Sequence, residues 1–108
     1  FNLIFILQPA LNWISKPPSF EESRIIEYLD TRKDRMRVKQ ILTRKVYEEY
    51  TFQLSKLCNN LDIKFFDSNF GLNKYLQNDD WLFVDRVHMT DKGYNITSKY
   101  INEIIKNF

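Results

Sequence analysis

A chain of 108 residues that is 44% hydrophobic, 16% aromatic and 28% charged has the composition of one globular domain with enough large apolar side chains for a core. Two glycines and three prolines exclude a collagen-like or low-complexity chain. Sixteen basic against fourteen acidic residues leave a formal charge of +2, too small to argue for nucleic acid as a partner, and none is expected.

The chain opens on FNLIFILQPAL with no initiating Met. An apolar stretch from the first residue reads as a strand cut from a larger protein, so residues 1–108 are expected to be the C-terminal part of a single domain whose N-terminal half is absent. Asn2 to Leu7 is a continuous apolar run, which suits a central parallel strand covered on both faces. Pro9 stops it, since proline cannot donate to a ladder. Asn12 to Ser19, with Pro17-Pro18, is a loop, and Ser19 with Glu22 forms a capping-box pattern.

From Phe20 to about Asn59 the pattern is helical, with a break near Asp30-Thr31. Val38, Leu42, Val46, Tyr50, Leu54, Leu57 and Leu61 recur at three- and four-residue steps and draw one apolar stripe. Cys58, the lone cysteine, excludes an internal disulfide and a cysteine-based zinc site, and reads as a small buried apolar residue. Asn59-Asn60 can end the helix in a left-handed turn. Asp62 to Asp67 then reads as a second strand, closed by Ser68-Asn69. Strand, helix, strand implies parallel pairing and a right-handed crossover.

Phe70 to Asp80 is polar and loop-like, with one helical turn at Leu72 to Leu76. Trp81 to Val84 is a brief apolar stretch leading to Asp85. Thr90 is a good N-cap for a last helix, and Asp91 favours its positive end. Tyr94, Thr97, Ile101, Ile104 and Phe108 share one face of that helix. No run approaches the roughly 20 apolar residues of a membrane span, no signal-peptide pattern is present, and no internal repeat appears.

The chemistry lies in WLFVDRVHMTDKGY. His88 is the only histidine, and Asp85 stands three residues before it. On a turn ahead of a helix, that spacing brings a carboxylate to one imidazole nitrogen and leaves the other free to take a proton from a hydroxyl. Spacing alone is weak evidence, since at ordinary Asp usage roughly one histidine in twenty has such a neighbour. A histidine that merely lines the start of the last helix would look the same. The position, after a strand and before a capped helix, is where sites gather in open α/β sheets.

The stretch from Val84 to Tyr94 resembles the last block of the SGNH (GDSL-type) esterase and lipase family, an Asp-x-x-His followed closely by a glycine and the terminal helix. The preceding strand-helix-strand order, with Gln8-Pro9 ending the first strand, is similar to the second half of the same fold. The resemblance implies a three-layer α/β/α, flavodoxin-like fold. It implies an ester hydrolase in which His88 is the general base and Asp85 its orienting partner. The family's nucleophilic serine lies in a Gly-Asp-Ser block, and its oxyanion donors come from that serine, a glycine and an asparagine on other segments. None of these blocks occurs in this chain. Ser15, Ser19, Ser23, Ser55, Ser68 and Ser98 do not follow a Gly-Asp pair, and Asn69 and Gly71 lie on the wrong segment for the oxyanion role. The chain by itself is therefore expected to be inactive, with its nucleophile supplied from elsewhere. The substrate class implied is a small-molecule, carbohydrate or lipid ester, with no metal or organic cofactor.

Two further features carry expectations. Trp81, four residues before Asp85, is a candidate for lining the substrate cleft, whereas Trp13 reads equally as core. Thr31 to Lys45 holds seven Lys/Arg and one acid. Its plain reading is a solvated helix face. Its functional reading is a non-catalytic module holding an anionic partner, with Arg35 and Arg37 as contacts. A third possibility is an interaction domain that retains the Asp–His pair without chemistry.

Overall fold

Residues 2–108 are described by a computed structural model; Phe1 and the side chain of Arg35 lie outside the described residues. Strand β1 (Ile4–Leu7) pairs in parallel with β2 (Lys64–Asp67), in register from Ile4 opposite Lys64 to Leu7 opposite Asp67. The helical segment between them makes the crossover, so the strand, helix, strand order and the parallel pairing hold. Both strands begin two residues later than the apolar runs suggest. Before β2 the cause is Asp62, whose φ of 54° places the left-handed turn after the asparagine pair rather than within it. Aspartate tolerates that conformation better than most residues.

β1 is not covered on both faces: Phe5 is 39% exposed, and Leu3 just before the strand is 50% exposed. Among the described residues β2 is its one strand neighbour, and the helices shield it only in part.

The long helical stretch divides into four pieces. Helix α1 (Phe20–Asp30) opens on a complete capping box: Glu22 N donates to Ser19 Oγ at 3.1 Å, and Ser19 N donates to Glu22 Oε1 at 2.9 Å. A 3-10 turn (Lys33–Arg35) leads into the short α2 (Met36–Ile41), and α3 (Arg44–Asn60) then starts afresh. The second break has a local cause. Thr43 takes extended dihedrals and its side chain accepts from Val46 N at 3.2 Å, an N-cap placed inside an otherwise helical pattern.

Restarting the helix rotates its face. Val38, Leu42, Val46 and Leu54 pack inward as expected, but Tyr50, Leu57 and Leu61 are exposed, and Tyr47 and Cys58 are buried instead.

After β2 come a single turn α4 (Ser68–Gly71), a 3-10 turn (Leu72–Tyr75) and, beyond a loop, α5 (Asp91–Lys106) capped by Thr90. Trp81 to Val84 is not a strand; it contributes one antiparallel bridge, Phe83 to Met89. The inward face of α5 is Gly93, Ile96 and Ile104 with Tyr100 beside them, while Tyr94 and Phe108 point outward. Gly93 decides this rotation. A Cβ on it would sit 2.5 Å from Leu82 O, so the helix approaches the preceding segment through its glycine.

Two apolar cores result. One gathers Leu11, Ile14, Leu72, Leu82, Phe83, Met89 and Ile96. The other gathers Leu7, Ala10, Trp13, Leu42 and Tyr47, with Val87 packed against it. The segment after β1 and the segment around His88 each contribute to both. No described helix is long and apolar enough to cross a membrane.

Candidate active site

The segment from Leu82 to Thr90 is a closed loop. Thr90 N donates to Leu82 O at 2.8 Å and Val84 N to His88 O at 2.9 Å, leaving Asp85, Arg86 and Val87 at the tip. Asp85 organises that tip. Its Oδ1 accepts the N–H groups of Val87 at 2.9 Å and His88 at 2.7 Å, and its Oδ2 lies 2.8 Å from His88 Nδ1. The spacing of three works because the same carboxylate that turns the backbone also reaches the ring. An ionised carboxylate only accepts, so Nδ1 carries the proton and Nε2 presents its lone pair. With His88 mostly exposed, that nitrogen is open to a reactant.

Burial pushes the Asp85 carboxyl upward. The two backbone N–H groups and the His88 ring outweigh it and hold the carboxyl below its ordinary value of 3.8. Asp85 is therefore ionised throughout the range in which an imidazole acts as a base.

The loop is held in place from beneath by Arg86, which is 5% exposed. Its Nη1 donates to Asn12 Oδ1 at 2.8 Å, its Nη2 to Asp30 Oδ1 at the end of α1, and its carbonyl accepts Leu11 N at 2.9 Å. Upstream, the fully buried Glu22 accepts the N–H groups of Leu82 at 2.9 Å and Phe83 at 3.0 Å through Oε2, while Oε1 faces Lys16 Nζ at 3.0 Å. One charged group thus fixes the start of the loop and another its tip. Neither Arg86 nor Glu22 stands out in the sequence as part of the site. Glu22 was legible only as a helix cap, and no local pattern marks Arg86.

A cavity of about 150 Å³ adjoins the pair, lined by Leu29, Val38, Asp85, Arg86, Val87 and His88. Trp81 is not among these residues; its indole N–H donates to Phe83 O at 2.8 Å, and the ring is partly exposed. Trp13 is core, packed against Tyr47 and Tyr50 with ring centroids 5.6 and 5.9 Å apart.

Asn69 is buried at the end of β2. It accepts Ala10 N at 2.9 Å and donates to Gln8 O at 3.1 Å, which locks the two strand ends together rather than facing a substrate. A larger cavity, about 550 Å³, opens between β2, α4 and α5. Two of its ionisable groups, Lys74 and Glu103, pair with each other, and it has no histidine or aspartate in its lining. The Asp85–His88 pair adjoins the smaller cavity.

In the basic run, Arg32 pairs with Asp34, Lys39 with Asp30, and Arg44 with Glu48. Acids thus already accompany these three cations. The side chain of Arg35 lies outside the described residues. The chain matches no protein-family model and no curated protein.

Proposed function

We propose that this chain is the C-terminal part of an SGNH-type serine ester hydrolase with a flavodoxin-like fold, supplying the general base His88 and its orienting acid Asp85. One observation carries the reading. Asp85 accepts two backbone N–H groups and holds His88 Nδ1, so the ring is anchored through one nitrogen and the residue lines an open cavity. The partly exposed apolar β1 supports it as well, since a sheet continued by further strands presents such a strand.

The reaction follows from that geometry once a serine hydroxyl is brought to Nε2. The hydroxyl oxygen attacks the ester carbonyl carbon while its proton passes to Nε2, and Asp85 stabilises the imidazolium. The carbon–oxygen bond to the alcohol then breaks, and Nε2 returns the proton to the departing oxygen. Water repeats the sequence on the acyl-enzyme: it gives a proton to Nε2, releases the acid, and the serine oxygen recovers the proton. The substrate is a small-molecule, carbohydrate or lipid ester.

The test is turnover of a short-chain aryl ester by the protein that carries both this chain and a Gly-Asp-Ser block encoded upstream. His88→Ala is expected to lower turnover by about 10⁴-fold or more, the scale seen when a triad member is removed. Unchanged turnover removes the catalytic assignment.

A further inference from the structure

We infer that the cavity beside His88 is the subsite for the departing alcohol, and that it takes a compact apolar alcohol in preference to a sugar. The inference rests on the hydrolase reading and specifies its substrate. Whatever group receives the proton from Nε2 must bring its oxygen within hydrogen-bond reach of that nitrogen. In ester cleavage that group is the alcohol oxygen, as its bond to the carbonyl carbon breaks. The rest of the alcohol therefore occupies space bordering the imidazole, and the 150 Å³ cavity borders it directly.

The walls select the alcohol. Leu29 comes from the last turn of α1, Val38 from α2 and Val87 from the site loop, so three branched apolar side chains face the space. Most polar side-chain atoms of the wall are already engaged. Arg86 gives Nη1 to Asn12 and Nη2 to Asp30, and its unpartnered Nε is sealed from solvent. Both Asp85 oxygens accept from the loop itself. Each hydroxyl of a sugar would lose water in this cavity without a matching partner, whereas a hydrocarbon ring loses nothing. The volume matches: an apolar cavity of roughly 150 Å³ holds a ring of about six carbons.

The only imidazole in the chain makes the test direct, because His88 alone gives histidine ring signals in an NMR spectrum. Cyclohexanol is titrated against the 108-residue chain, with glycerol as the polar comparison. Saturable shifts of the His88 ring signals and of the Leu29, Val38 and Val87 methyls are expected with cyclohexanol and not with glycerol. Leu29→Trp, which fills the cavity, is expected to weaken cyclohexanol by about tenfold or more, the scale of discrimination by pocket shape. Val38→Phe serves in its place should Leu29→Trp fail to fold. The inference is overturned if cyclohexanol moves the His88 signals no more than glycerol does, or binds the filled variant unchanged. In that case a loss of ester turnover in His88→Ala still leaves the hydrolase standing. If cyclohexanol binds as expected but His88→Ala retains full turnover, the alcohol assignment falls together with the hydrolase reading.

Discussion

Glu22 and Phe83 are joined across 61 residues of sequence: the backbone N–H of Phe83 donates to a carboxylate that is 0% exposed and that also receives Leu82 N–H, Ser19 N–H and the Lys16 ammonium. The N-terminus of α1 and the entrance to the Asp85–His88 loop therefore share one buried charge.

That sharing sets the cost of removing it. Glu22→Gln keeps the shape but faces an amide N–H₂ toward donors and leaves Lys16 without its counter-charge. Breaking one side of a buried pair of this kind costs about 3–5 kcal/mol. Urea unfolding is expected to show a loss on that scale, and a change below about 0.5 kcal/mol, the usual range for surface substitutions, would contradict the role given to Glu22.

Gly93→Ala sets two effects against each other. Alanine favours a helix interior over glycine by about 1 kcal/mol, an upper bound for Gly93 in the first turn of α5. Its Cβ would meet Leu82 O at 2.5 Å and the Met89 side chain at 2.9 Å. The first contact is backbone and cannot swing aside, and overpacking typically costs about 1–3 kcal/mol. The clash is expected to win, with a lower melting temperature and displaced His88 NMR signals. A rise in melting temperature would show that the loop and helix can separate freely.

Asp85 links the site to acid stability. Its folded carboxyl titrates below its ordinary value of 3.8, so its contribution is fully present above that value and is lost as pH falls through the lower folded one. Wild type and Asp85→Asn are therefore expected to differ in unfolding free energy near neutral pH and to converge in acid below 3.8. A difference that stayed constant down the acid limb would mean that the carboxylate is not held by Val87, His88 and the ring. The pair is partly exposed, so the difference itself is expected to be small.

On the hydrolase proposal, Arg86 is a positioning residue. Arg86→Met would cut the ties to Asn12 and Asp30 while filling the same space. A catalytic group displaced by about 1 Å can lose on the order of 10²-fold in rate. Ester turnover by the protein carrying the nucleophile is expected to fall on that scale in kcat, with KM changed far less. A rise in KM with kcat intact would instead make Arg86 a substrate contact.

Much of the molecule is legible from local pattern. The Ser19–Glu22 box, the Thr90 cap and the short turn at Leu72 each depend on a few neighbouring residues and appear as read, and the parallel strand pair and the burial of Cys58 also hold. The Asp85–His88 contact is equally local, because a spacing of three on a tight turn lets one carboxylate serve backbone and ring together. Helix faces are less legible. The Thr43 restart and the glycine contact of α5 rotate them by amounts that apolar periodicity, which tolerates a shift of one position, does not register.

What sequence alone determined about this protein, then, is most of its elements and the Asp85–His88 contact, since these follow largely from interactions within a few residues. The tertiary structure decided what surrounds that pair. Glu22 beneath Leu82 and Phe83, Arg86 between Asn12 and Asp30, and the Leu29–Val38–Val87 cavity all join segments far apart in the chain. Such contacts leave no periodic trace in a sequence. They exist only once the chain has packed both apolar cores and brought those segments within reach.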